Sequence, residues 1–330
     1  MCYIFLSSSG GSQFLGKIVP LRVLPYWPTR LEVARIALEV GSEPFPGFCL
    51  KELRGRGGFA EVWEASSPAG ERVALKFFTS DRTTSTIKEV KSLTAIQKLH
   101  HPYIIHMEHV WSVPGYIVVA MELAEGSLLE LLDAYQAEYR TPIEKEMLCR
   151  SLTQAADAID FLNARQHFYE GRRVGWQHCD IKPSNLLLSD NVVKLADFGL
   201  ASPTTALLNP YPSGGTLDFA APEIHRGMLS ERSDQYSLAV TYYYLRTNSF
   251  PFPAPTDGFR RKHSYTRPAA DLSLIPRSER KVLERSLAIQ PEERWENCSE
   301  MMRAMHEAIV NGGSSAISSV CMQAVSTDAS

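Results

Sequence analysis

Residues 177–185 read Gln177-His178-Cys179-Asp180-Ile181-Lys182-Pro183-Ser184-Asn185, and Asp197-Phe198-Gly199 begins twelve residues after Asn185. An Asp, a Lys, an Asn and a second Asp at this spacing are the residue types that phosphoryl transfer requires. Charge spreads over the transferred group in that reaction, so a protein mainly positions the reactants and offsets charge with cations and backbone amides. Asp180 is the candidate to orient an acceptor hydroxyl and take its proton, with Lys182 near the transferred group. Asn185 and Asp197 are the candidate metal ligands, since Mg²⁺ prefers hard oxygen donors. Any one of these residues alone in a surface turn would simply be solvated; the joint pattern carries the reading.

Two upstream segments fit the same chemistry. Gly55-Arg56-Gly57-Gly58-Phe59-Ala60-Glu61-Val62 follows an apolar run and reads as strand, turn, strand. Its glycines let backbone amides approach phosphates with no Cβ in the way. Val73-Ala74-Leu75-Lys76 then places a lysine on a strand, fourteen residues after Val62.

Taken together these segments resemble the protein kinases of the Ser/Thr group, in their eukaryote-like bacterial form. The signatures of that family are a Gly-rich loop, V-A-I-K, H-R-D-x-K-x-x-N and D-F-G. The resemblance implies ATP and Mg²⁺ as cofactors, with Gly55, Gly57 and Gly58 over the nucleotide and Lys76 as phosphate anchor. The partner it implies for Lys76 is Glu89, the sole Glu between Lys76 and His100-His101-Pro102. Glu89 lies about one helical turn further from that Pro than is usual in the family. Val62, Ala74 and Leu187 would sandwich the adenine, and Met121 would guard the back of its pocket. Backbone groups of Glu122 and of Leu123 or Ala124 would meet the adenine edge.

The peptide side of the family pattern is present as well. Gly215-Thr216 and Ala221-Pro222-Glu223 match the ends of a peptide-binding segment, and Arg294 matches the arginine that pairs with its Glu. Asp234 matches the aspartate that ties down the catalytic loop. Lys182 with Thr216 implies a protein substrate with a Ser or Thr acceptor. Two positions depart from the pattern. Ala60 replaces the third glycine, and Cys179 stands where many relatives have the Arg that receives a phosphorylated activation loop. A thiol offers no cation, so activity is expected not to depend on phosphorylation of the 200–216 segment. Two other readings remain open: a pseudokinase serving as a nucleotide-binding scaffold, and a small-molecule phosphotransferase, which would lack the peptide-side features.

For the elements that must position these groups, the resemblance implies an α+β, two-lobed fold. From Gly47 to Leu123 the pattern is strand, glycine turn, strand, Lys-bearing strand, helix and two strands, hence a small antiparallel sheet with one helix in the first lobe. Residues 122–127 form the hinge, and 128–310 a mainly helical second lobe with helices at Ile143–Asn163 and Asp234–Leu245. Tyr242, Tyr243 and Tyr244 read as core filling. Arg165–Trp176, with Arg172-Arg173, reads as a long solvated link or a docking surface. Residues 1–46 form an extension with a short helix near 30–40. Its Gly11-to-Lys17 stretch imitates a P-loop but fails as one, because Ile18 replaces the Ser or Thr and Pro20 blocks the helix. Residues 311–330 read as a flexible tail.

Composition bounds the partners. Lys and Arg total 34 against 37 Asp and Glu, which gives no electrostatic case for nucleic acid. The six cysteines are scattered without a C-x-x-C pair and read as reduced thiols. No eighteen-residue apolar run marks a membrane span, and the chain is expected to be cytoplasmic, its input arriving from inside or from a partner. The oligomeric state is left open.

Overall fold

The computed structural model describes residues 37–57, 60–79, 84–113, 115–204, 209–210, 217–253 and 267–325, with side chains given except at 84–89, 209–210 and 313–325. The P-loop decoy, Gly58, Gly215 and Thr216 thus lie outside the described residues, as do 30–36 of the expected helix; residues 37–40 are not helical.

The first lobe is a five-stranded antiparallel sheet ordered β1-β2-β3-β5-β4, from β1 (Cys49–Arg56), β2 (Ala60–Ser66), β3 (Arg72–Thr79), β4 (Met107–Val113) and β5 (Tyr116–Glu122). Helix α1 (Thr84–Ile96) interrupts the meander between β3 and β4. Strand alternation sets the two faces of the sheet. In β3, Val73, Leu75 and Phe77 are buried in an apolar cluster with Leu50, Trp63 and Val118. Ala74 and Lys76 therefore face the opposite way, toward the second lobe.

That lobe begins with β6 (Gly126–Ser127), whose Ser127 caps α2 (Leu128–Tyr139) in a reciprocal capping box with Glu130. Helix α3 (Lys145–Asn163) follows, burying Leu148, Leu152, Ala155, Ile159 and Leu162 at helical spacing. Next come two hairpins, β7 (His167–Tyr169) with β8 (Arg172–Gln177), and β9 (Leu186–Ser189) with β10 (Val192–Leu195). Strand β11 (Ser202–Thr204) pairs with β8, and β12 (Asn209–Pro210) with β13 (Met228–Leu229). The remaining helices are α4 (Pro222–His225), α5 (Ser233–Thr247), α6 (Arg277–Ser286) and α7 (Cys298–Val325). Helix α5 is buried along most of its length; Tyr242 and Tyr243 fill the core, and the Tyr242 hydroxyl donates to Glu279 at 2.7 Å.

Two expectations need correction. The Arg165–Trp176 link is not an irregular loop: 167–177 folds as a hairpin whose turn residues, Glu170 (φ 47°) and Gly171 (φ 78°), are both left-handed, as a two-residue turn between twisted strands demands. The segment after Asn311 is not an irregular tail either, because α7 continues through Val325.

Besides the connection through β5 and β6, the lobes meet at a second place. The Ile105 amide donates to the Leu195 carbonyl at 2.9 Å, and the Leu195 amide donates to the Tyr103 carbonyl at 2.8 Å. Close by, Lys194 Nζ pairs with Glu122 at 2.6 Å.

Candidate active site

The catalytic-loop candidates sit between the two hairpins. β8 delivers the chain to His178, a single 3₁₀ turn at Pro183–Asn185 leads into β9, and β10 returns it to Asp197. The β9–β10 turn uses Asp190 and Asn191, both left-handed. Closure of this hairpin lets the Ala196 amide donate to the Asn185 carbonyl at 2.9 Å, which brings the two candidate metal ligands together.

Asp234, at the start of α5, holds the loop from below. Its carboxylate accepts the His178 amide at 2.7 Å and the Cys179 amide at 2.9 Å. These bonds fix Cys179 in a left-handed conformation (φ 69°), which is unfavourable for a non-glycine residue. Burial pushes the Asp234 carboxyl above its ordinary value, and its bonds to the His178–Cys179 segment only partly offset this. The His178 ring spans the loop: one nitrogen, Nε2, donates to the Ala196 carbonyl at 2.8 Å, and Nδ1 accepts the Asp180 amide at 3.3 Å. That pattern sets the tautomer.

Above this frame the reactive groups converge. Lys182 Nζ lies 2.7 Å from Asp180 Oδ2. Asn185 Nδ2 donates to the Asp180 carbonyl at 2.8 Å and to Oδ2 at 3.0 Å. With its nitrogen committed to Asp180, the Asn185 amide leaves its oxygen as the atom to serve a cation. Asp197 is left-handed (φ 68°) and its Oδ1 is 2.7 Å from Lys76 Nζ. Burial works against the Asp197 charge, but Lys76 outweighs it and holds the carboxyl below its ordinary value. One carboxylate and one amide oxygen, with room beside them, fit a Mg²⁺ ion that would complete its shell with phosphate oxygens and water.

Of these groups, Lys76, Asn185 and Asp197 line a cavity of about 460 Å³ between the lobes, whereas Asp180 and Lys182 are not among its lining residues. Gly55, Val62, Ala74 and Lys76 line it on the sheet side, Glu122 and Ala124 at the hinge, and Asn185, Leu187 and Asp197 on the helical side. The amides of Glu122 and Glu125 are taken by the carbonyls of His106 and Leu188. Met121 lines the cavity as well. Gly57 lies at the end of β1, where its amide donates to the Ala60 carbonyl at 2.8 Å. Glu89 is on α1, with its side chain outside the described ones.

Two of the residues expected on the peptide side, Glu223 and Arg294, also meet. Glu223 and Arg294 form a buried two-pronged pair, both N···O distances 2.8 Å. Ser230 and Ser233 donate to the same carboxylate, and Arg294 donates onward to the carbonyls of Ala288 and Arg232. A buried ion pair is tolerable only when its remaining hydrogen-bonding capacity is used in this way. Arg267 was not foreseen. It is buried, stacks over Phe252, and its Nη2 donates to the carbonyls of Leu217, Asp218 and Ala220. Nothing local in Thr266-Arg267-Pro268 distinguishes it from a solvated arginine.

Residues 48–310 match the family described as protein kinase domain. The chain belongs to the protein kinase family. This kinase domain is similar to the serine/threonine-protein kinase PknE of Mycobacterium tuberculosis, 30% identical over 277 residues that make up 80% of this chain and 46% of the relative. PknH of Mycobacterium bovis is 29% identical over 277 residues, 80% of this chain and 44% of that protein. PknF of Mycobacterium tuberculosis is 27% identical over 285 residues, 82% and 58% respectively. The chain thus spans about half the length of these curated relatives. Among the described residues no helix is long and apolar enough to cross a membrane.

Proposed function

We propose that this chain is a protein Ser/Thr kinase that transfers the γ-phosphate of MgATP to a protein hydroxyl in the cytoplasm. The observation that carries the reading is the convergence of Lys76, Asn185 and Asp197 on one cavity, with Asp180 and Lys182 joined to it through Asn185. When bound between Asn185 and Asp197, Mg²⁺ supplies charge neutralisation to the phosphates. Asp180 accepts the proton of the incoming hydroxyl, held in place by the Asn185 amide. Lys182, now paired with Asp180, turns its charge to the group in transit. Lys76 exchanges part of its contact with Asp197 for nucleotide phosphate. The base edge meets the Glu122 carbonyl and the Ala124 amide, a choice favoured by the engagement of the Glu122 amide with His106.

Activity in this proposal is independent of activation-loop phosphorylation. The residue before Asp180 is a thiol with no cation to receive a phosphate, and Asp234 already fixes the loop backbone through two amides. Transfer of labelled γ-phosphate to the protein itself and to a basic test protein, comparing wild type with Asp180→Asn and Asp197→Asn, tests the core of the reading. Transfer to Ser or Thr that both substitutions abolish supports it. Absence of transfer with a MgATP-dependent rise in melting temperature identifies a nucleotide-binding scaffold instead. Loss of nearly all activity after phosphatase treatment would sink the independence claim.

A further inference from the structure

The β7–β8 hairpin takes part in no step above, yet it is built as a firmly rooted arm. At its base His167, Val174 and Trp176 are buried, and Trp176 meets Tyr169 edge to face with ring centroids 5.1 Å apart. His167 Nε2 donates to the Phe161 carbonyl at 2.7 Å, which ties β7 to the end of α3. The Phe161 ring lies 5.0 Å from that of His167 and stacks at 4.7 Å on His101, a residue of the connection from α1 to β4. On its other edge the arm pairs β8 with β11, the first strand after Asp197.

The arm ends in the two-residue turn Glu170-Gly171, whose left-handed backbone fixes the register of the strands and so the place from which the Glu170 side chain starts. Glu170 Oε1 lies 3.1 Å from Lys91 Nζ. Lys91 is on α1, two residues beyond Glu89. An ion pair therefore runs from an arm seated in the second lobe to the first-lobe helix that carries the partner implied for Lys76. Arg172 and Arg173 are exposed on the same hairpin, so Glu170 is what makes its tip attractive to a lysine.

The position of this pair along the helix gives it leverage. Among the described side chains of α1, the buried ones, Leu93 and Ile96, lie in its last turn. Lys91 is nearer to Glu89 than either. Apolar burial thus fixes the end of α1, and the ion pair acts closer to the residue whose place decides whether Lys76 gains a second carboxylate besides Asp197, which is already 2.7 Å from it.

Resting on the kinase reading, we propose that Glu170 is a positioning residue for phosphoryl transfer: through Lys91 it holds α1 where Glu89 can meet Lys76. The hairpin is then a brace between the two lobes, acting from outside the nucleotide cavity.

The test compares wild type with Glu170→Gln, Glu170→Lys, Lys91→Glu and the charge-swapped double variant Lys91→Glu/Glu170→Lys, all in the full chain. Two quantities are read: MgATP-dependent transfer to a basic test protein, and hydrogen exchange of the α1 amides without nucleotide. Circular dichroism and the unfolding transition of each variant check the fold. Glu170→Gln should lower kcat/KM for MgATP about twofold, the order an exposed ion pair supplies, and Glu170→Lys about fivefold. The double variant should return to within about twofold of wild type, and protection of α1 should follow the same order. Against the residual transfer of a Glu89→Gln background, Glu170→Lys should cost nothing further, because its effect passes through Glu89. Unchanged transfer and unchanged α1 exchange in Glu170→Lys would overturn the proposal. So would a loss that the double variant does not recover, or one that persists in full without Glu89, since either marks a merely structural role. If wild type transfers no phosphate at all, the kinase reading fails, and the hydrogen exchange alone decides whether Glu170 holds α1.

Discussion

Lys76 Nζ lies 2.7 Å from Asp197 Oδ1, so the expected phosphate anchor and the expected metal ligand neutralise each other across the cleft. Each substitution should expose a different half of that pair. Lys76→Met and Asp197→Asn are both expected to lower transfer by at least about a hundredfold, because each removes charge aimed at the transition state. They should separate in binding. Asp197→Asn is expected to abolish the Mg²⁺ dependence of the nucleotide-induced thermal shift, and Lys76→Met to retain it at lower amplitude.

The Glu223–Arg294 pair gives a stability prediction. Removing either partner leaves a buried charge unpaired, and Glu223→Ala or Arg294→Ala should cost about 3–5 kcal/mol in denaturant unfolding. The two losses should be far from additive in the double variant.

The same pair sets a pH dependence. Burial raises the Glu223 carboxyl, but the hydrogen bond and charge of Arg294 together with the Ser233 hydroxyl outweigh it and hold the group below its ordinary value. A carboxylate depressed in the folded state stabilises at pH above its unfolded value, and that contribution drains away as pH falls through the folded value. Asp197 acts in the same sense. Asp234, raised by burial, acts in the opposite one: it costs stability once ionised and is relieved on acidification. Glu223→Gln should therefore flatten the loss of stability below neutral pH, and Asp234→Asn should steepen it, as read from unfolding free energies across the acid range.

Thiol reactivity should divide the described cysteines. Burial pushes the thiols of Cys149, Cys179 and Cys298 above their ordinary value, for Cys179 and Cys298 by a wide margin. Cys49, half-buried on β1, lacks such cover. Iodoacetamide at mildly alkaline pH should label Cys49 first in the native protein and all four at similar rates in denaturant, as followed by peptide mass mapping. Rapid native labelling of Cys179 would contradict the geometry of the loop.

Gly175 is a steric requirement. A Cβ there would collide with the Asn163 carbonyl at the end of α3. Gly175→Ala should destabilise by about 1–3 kcal/mol and lower activity, since β8 leads two residues later into Gln177 and His178.

What could be read in the chain divides by range. Groups brought together by a short motif, such as Asp180 with Lys182 and Asn185, were legible because a few residues of backbone fix their spacing. β3 was legible because Val73, Leu75 and Phe77 alternate with Ala74 and Lys76. The hairpin after α3 was missed because its turn is Glu170-Gly171, where the usual signal is Asn-Gly, and because its strands are three and six residues long. The signal was the two-residue gap between His167-Phe168-Tyr169 and Arg172-Arg173-Val174. Arg267 and the Lys194–Glu122 pair depend on residues about fifty or more positions apart, which no local pattern encodes.

The contact of Leu195 with Tyr103 and Ile105 has a mechanical consequence. One attachment between two rigid bodies permits swinging in any direction; two attachments define a line, and the remaining easy motion is rotation about it. The chain crosses between the lobes at the hinge and is pinned again at 103–105, where a parallel bridge joins Ile104 to Leu195. Opening and closing of the cleft like a book on its spine would leave those two backbone hydrogen bonds in place, whereas sliding or twisting of one lobe over the other would have to break them. Lys76 and Asp197 sit on facing pages, so their separation becomes a direct gauge of the opening angle.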